Sequence, residues 1–185
     1  MRRSMFDAPV SVPEQVLRER KSALLRRKFW ARLLGSLLCT FVATVILFGV
    51  LFGVSRVEGN SMRHALQEAD LALFFRWGNY STGDIVVMRM GDHHPVKRIV
   101  ALPGDTVDIS GSGRLLVNGQ EQHEPYAVGQ THRAGGTAFP LVLQDGAYFV
   151  LGDNREDSLD SRMFGPVAGE HIRGRIIMVI RTREI

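Results

Sequence analysis

Twenty-three consecutive residues without a charge, Leu33 to Ser55, constrain this chain more than any other stretch. Arg32 and Arg56 bracket the run. A hydrocarbon core of about 30 Å is crossed by roughly 20 apolar residues in a helix, so the run is long enough to span. Two other readings compete with a span. A buried core helix is one. A cleaved export signal is the other, but its apolar region normally covers roughly 7–15 residues and ends at a small-residue cleavage site. This run is longer, and Val54-Ser55-Arg56 makes a poor site. The sequence predicts an anchor that stays in place.

The net charge of +4 hides an asymmetry across that run. Residues 1–32 hold nine Lys/Arg and three Asp/Glu, a net +6, whereas residues 57–185 hold thirteen and sixteen, a net −3. Positive flanks stay cytoplasmic. The expected organisation is a basic cytoplasmic segment over 1–32, a transmembrane signal anchor over 33–55 and an extracytoplasmic domain over 56–185. Topology accounts for the basic tail, and the mildly acidic outer domain argues against nucleic-acid binding. The one cysteine, Cys39, lies inside the apolar run. The outer domain therefore has neither a disulfide nor a thiol site and must rely on its own core.

Residues 1–20 are polar, carry Pro9 and Pro13, and read as poorly structured. Residues 14–32 read as a basic amphipathic helix running into the anchor. Beyond Arg56 the pattern changes to short apolar runs, several of them β-branched, divided by Gly, Pro, Asn and Asp, which predicts strands. These runs are 71–75, 84–89, 96–100, 106–109, 114–117, 147–151 and 176–181. Asn118-Gly119 is a hairpin pair, and 156–161 reads as a short helix or turn. The fold class is a mainly β outer domain behind one N-terminal transmembrane helix.

Three places in that domain hold chemistry. Lys97 is the only lysine in residues 57–185, among twelve arginines. Arginine stays protonated, whereas a buried lysine shifts from about 10.4 toward 7–8 and becomes a base. Lys97 sits in an apolar strand, and Arg98 beside it should point to the opposite face. Ser61, in Gly59-Asn60-Ser61-Met62, is the candidate nucleophile, because Gly59 and Asn60 permit unusual backbone angles and leave nearby amides free for an oxyanion. The third place is 152–162, GDNREDSLDSR, where four acids, two arginines and two serines follow an apolar strand. That density suits a network of charge-assisted hydrogen bonds. A solvated loop and a calcium loop are the alternatives, and the twelve-residue calcium pattern ending in Glu is missing.

In this order behind an anchor, the three places resemble the type I signal peptidases, a Ser–Lys serine protease family. GDNREDSLDSRMFG (152–165) fits the family pattern GDNRxxSxDSRxxG at every fixed position. KRIVALPGD (97–105) is similar to the family's lysine box, and VEGNSMRHAL (57–66) resembles its nucleophile box. The resemblance implies an antiparallel β catalytic domain. It implies Ser61 as nucleophile, Lys97 as general base, Ser158 bonded to the lysine amine, and Asp160 paired with Arg162. It implies an oxyanion site at the Ser61 amide. Some members add a serine hydroxyl where this chain has Gly59. The chain also carries His64, Ala65 and Ala101 where the family usually has proline, threonine and glycine. His64 raises a Ser–His alternative, which Lys97 in the lysine box opposes.

The implied substrate is the signal peptide of an exported preprotein, bound as an extended strand and cut after small residues in an Ala-X-Ala pattern. Val57, Met62, Leu66, Ala72, Val87 and Val96 are the expected pocket residues, with core packing as their other reading. Phe74, Phe75 and Trp77 are expected to divide between core and lipid interface, with at least two in the core. No metal, organic cofactor or obligate protein partner is implied, and the setting is a bacterial plasma membrane. Three rivals share features with this reading. A self-cleaving repressor-type protease lacks the anchor. A conjugation- or pilin-type signal peptidase shares anchor and pair. A non-catalytic membrane-tethered binding module needs no lone lysine set with Ser61, Ser158 and Asp160.

Overall fold

The computed structural model describes residues 14–181, so Pro9 and Pro13 lie outside the described residues. Two compact units divide at Phe48 and Gly49. The first is carried by one uninterrupted helix, α1, over Glu14–Leu51. Residues 14–32 and the first nineteen residues of the apolar run thus share one helix. Leu24–Leu51 is long and apolar enough to cross a membrane, and its side chains lie exposed. The helix stops four residues before the apolar run does. Phe52–Arg56 is strand β1, paired antiparallel with β2 (Leu71–Phe75). Tertiary bonds end the helix there. The Arg76 amide donates to the Leu51 carbonyl at 2.9 Å, and Arg76 Nε donates to the Phe52 carbonyl at 3.0 Å.

The second unit is mainly antiparallel β. Strands β3 (Ile85–Met88), β4 (Val96–Ala101), β9 (Ala147–Leu151), β10 (Val167–Ala168) and β11 (Ile172–Ile180) join β1 and β2 in a seven-stranded sheet, ordered β1-β2-β11-β3-β4-β9-β10. A smaller sheet holds β5 (Thr106–Ile109), β6 (Leu115–Val117), β7 (Gln120–Glu121) and β8 (Leu141–Val142), ordered β7-β6-β5-β8. Asn118 and Gly119 turn β6 into β7 with φ of 53° and 76°, the positive pair that a two-residue hairpin of the right twist requires. The expected turn at 156–161 resolves into a turn followed by a one-turn helix, α2 (Ser161–Phe164), which Asp160 caps through the Arg162 amide.

Strands β3 and β4 are buried on both faces and feed different parts of the core. Val87 and Val96 pack into a first cluster with Val57, Met62, Leu66, Ala72 and Phe74. Val86, Met88 and Ile99 pack into another with Val150, Val167 and Ile172. A bulge between Ile99 and Ala101 turns Val100 and Ala101 toward the smaller sheet, onto Val107, Leu115 and Phe149. Phe74 lies in the core, Phe75 is half-buried, and Trp77 is 63% exposed.

Candidate active site

Ser61 opens the turn that follows β1. Gly59 takes φ of 76°, and the turn closes by bonds from Arg63 N–H to Asn60 O and from Leu66 N–H to Met62 O, at 3.0 and 2.9 Å. Met62 and Leu66 plug the first core cluster, which leaves the intervening backbone little freedom. No protein acceptor among the described residues takes the Ser61 N–H. The amide is free for an oxyanion.

Lys97 approaches from the centre of the sheet, opposite Val86 in the β3–β4 register. It is 4% exposed, and its Nζ donates to Ser61 Oγ at 2.5 Å. Burial pushes the amine down to about 8, with help from the Arg162 charge, while the carboxylates of Asp160, Asp157 and Asp153 pull the other way. Arg98 leaves β4 on the other side, as alternation requires. It forms a fork with Asp153 at 2.8 and 2.7 Å and also donates to the Gly83 carbonyl at 2.8 Å.

The 152–162 segment binds these parts together. Gly152 lies so close that a Cβ there would fall 2.2 Å from Ser158 Oγ and 2.6 Å from the Ser61 carbonyl. The Gly152 N–H donates to Asp160 at 3.1 Å. The Asn154 N–H donates to the Ser61 carbonyl at 2.9 Å. Arg155 forks onto Glu124 at 2.9 and 2.7 Å, donates to Gly152 O at 3.0 Å, and bonds Thr131 Oγ1. Arg162 pairs with Asp160 at 2.8 and 2.9 Å, and also reaches Arg155 O at 2.7 Å. Of the four acids, Asp153 and Asp160 are consumed by arginines in this way. Among the described residues no group of three or more His, Cys, Asp or Glu is placed to hold a metal ion.

The family resemblance implied that Ser158 bonds the lysine amine. In the structure Lys97 Nζ donates to Ser61 Oγ, and Ser158 Oγ is buried without a hydrogen-bond partner. The six expected pocket residues do come together. All belong to the first core cluster, 0–5% exposed, where they pack against one another behind the Ser61 turn. His64 is exposed, makes no bond to Ser61, and holds φ of 86°. Proline, fixed near −65°, cannot take that angle, so the turn follows its own path at this position. Ala65 backs onto the first core cluster, and Ala101 is fully buried in the second beside the β4 bulge. In the sequence Arg98 stood out only as pointing away from Lys97, and Asp153, Asn154 and Arg155 only as part of the dense 152–162 stretch, whose acids and arginines were their signal. Glu124 carried none.

A family model described as signal peptidase, peptidase S26, matches residues 30–181. Signal peptidase I S of Bacillus subtilis (strain 168) is 34% identical over 145 residues, covering 72% of this chain and 77% of that protein. Signal peptidase IB of Staphylococcus aureus is 32% identical over 162 residues, covering 73% and 84%. A crystal structure of a signal peptidase I from Enterococcus faecalis V583 aligns with 54% of this chain and 98% of its own, at 28% identity and a TM-score of 0.45. The chain belongs to the signal peptidase family of serine endopeptidases, peptidase S26.

Proposed function

We propose that this chain is a membrane-tethered endopeptidase that removes signal peptides from exported preproteins, with Ser61 as nucleophile and Lys97 as general base. The observation that carries the reading is the 2.5 Å contact between a buried lysine amine and a serine hydroxyl. Lowering the amine to about 8 raises its free-base fraction near neutral pH by roughly two orders of magnitude. Neutral Lys97 takes the Ser61 proton as Oγ attacks the scissile carbonyl, and the resulting ammonium gives that proton to the leaving amine. The freed Lys97 amine then takes a proton from water as it attacks the acyl carbonyl, and the ammonium gives that proton to Ser61 Oγ as the ester bond breaks. The unpartnered Ser61 N–H stabilises the oxyanion, a contribution of about 3–4 kcal/mol for a well-placed donor. Ser158 Oγ, buried and without a partner, is the acceptor that receives the lysine amine once substrate draws Ser61 away.

The N-terminal helix anchors the chain in the plasma membrane, its basic end cytoplasmic and residues 57–185 outside. Anchoring confines enzyme and membrane-bound substrate to one layer and raises their effective concentration. Small residues before the cut, Ala-X-Ala, are the preferred pattern. The full-length protein in detergent is offered a preprotein with such a site, and the product masses are read. Cleavage after the final alanine, lost in Ser61→Ala and Lys97→Ala and kept in His64→Ala, is the expected result. Survival of Lys97→Ala with loss of His64→Ala overturns the mechanism. An inactive wild type with an Ala-X-Ala substrate moves the assignment to a specialised pilin-type substrate or to a binding role.

A further inference from the structure

Ser61 and Lys97 lie 36 residues apart, on segments that share no backbone pairing, yet one third segment braces both. Residues 124–131 follow the β6–β7 hairpin and run alongside the 152–162 segment. Val128 N–H donates to Asp153 O at 2.7 Å, and Arg155 N–H donates to Val128 O at 2.9 Å, a parallel bridge. The intervening amide, Asn154 N–H, turns the other way and holds the Ser61 carbonyl. Side chains repeat the pattern. Glu124 receives both terminal nitrogens of Arg155, and Thr131 Oγ1 receives one of them again. Tyr126 donates to Glu124 at 3.1 Å and places its ring 4.0 Å beneath the Arg98 guanidinium. Arg98 is the neighbour of Lys97 and is locked to Asp153.

We infer that the 124–131 strap is a positioning device for the reaction, with Glu124 its central positioning residue. It works through Arg155 and Asn154 on Ser61, and through Tyr126 and Arg98 on the strand that carries Lys97. The inference rests on the Ser61–Lys97 reading above. The Glu124–Arg155 pair is almost fully enclosed, its side chains 9% and 1% exposed. An enclosed ion pair is a weak way to gain stability, since apolar residues of the same volume often do as well. What a planar guanidinium fork does supply is direction. Direction is what a proton transfer across 2.5 Å demands, because a misplacement of about 1 Å costs roughly 10²-fold in rate.

The test compares full-length wild type, Ser61→Ala, Glu124→Gln, Thr131→Val and Glu124→Ala in detergent. Steady-state cleavage of one Ala-X-Ala preprotein is measured well below each variant's melting temperature. The strap predicts that kcat falls about 10-fold in Glu124→Gln, about threefold in Thr131→Val and about 100-fold in Glu124→Ala, with KM held within about twofold. Should Glu124→Ala fail to fold, the two near-isosteric variants decide. Folded variants with wild-type kcat and a lowered melting temperature overturn the inference, since the strap is then a brace for the fold alone. A rise in KM at constant kcat overturns it too, as does loss of folding in all three. The reading beneath it fails separately: an inactive wild type or an active Ser61→Ala sinks the Ser–Lys pair, whatever the strap variants do.

Discussion

At the scale of one residue, Lys97 sets activity against stability. Its amine is buried, and burial holds it near 8 rather than 10.5. Below about 8 the folded and unfolded chains both carry the proton, and the folded state bears the full cost of an enclosed ammonium. Between about 8 and 10.5 the unfolded chain binds a proton that the folded chain does not, so stability rises with pH across that window. The cost near neutral pH is on the order of a few kcal/mol. Lys97→Met keeps the stem and drops the charge. It is expected to be inactive, to melt higher than wild type at pH 7, and to lose that advantage by about pH 10, as calorimetry at the two values would read. An unchanged melting temperature at pH 7 would mean that Asp160 and Asp157 already offset the burial. Catalysis uses the neutral amine, so kcat/KM should climb with pH along a limb centred near 8.

At the scale of the element, the decisive piece is the segment from Gly152 to Arg162. Gly152→Ala adds one carbon where Ser158 Oγ and the Ser61 carbonyl already stand 2.2 and 2.6 Å away. The loop has to move, and the Ser61 carbonyl moves with it. The expected outcome is a loss of about 1–3 kcal/mol in stability and at least roughly 10²-fold in kcat. Gly111→Ala, with open space around its Cβ position, is the control that should leave both unchanged. The segment was legible in the sequence because its acids and arginines are too dense for a solvated loop. So were β2, β3, β4, β5 and β9, whose short apolar runs, several of them β-branched, are bounded by turn residues. Strand β1 was not, because Phe52 to Ser55 continue the apolar helix pattern without a break. What separates them is pairing with β2 and the Arg76 bonds, which no local pattern records. Strands β7, β8 and β10 are two residues long, too short for any period to show. Glu124 and Arg155 meet across 31 residues, and nothing near Glu124 announces a partner. The six apolar residues expected at substrate pockets were recognised as a group, but hydrophobicity alone does not distinguish a pocket wall from the cluster they form.

At the scale of the molecule, the question is which side of a membrane each part faces. The stretch from Leu33 to Leu51 is charge-free and helical. At about 1.5 Å per residue it measures about 28 Å, close to the hydrocarbon thickness. Arg26, Arg27, Lys28 and Arg32 stand exposed on the same helix just before it. Cationic flanks of this kind hold their end of a helix in the cytoplasm, so α1 should have its start inside and the β unit outside. The lone cysteine makes this directly measurable. Cys39→Ser gives a cysteine-free background, into which Ser22→Cys or Ser112→Cys is introduced, both at exposed positions. A membrane-impermeant maleimide applied to intact spheroplasts should label position 112 at once and position 22 only after permeabilisation. The reverse pattern would put the Ser61–Lys97 pair in the cytoplasm, where no translocated preprotein could reach it. Labelling of both in intact spheroplasts would mean that the helix lies along the surface. The charge-free stretch would then have to be covered by lipid on one side only, which its all-round apolar surface makes unfavourable.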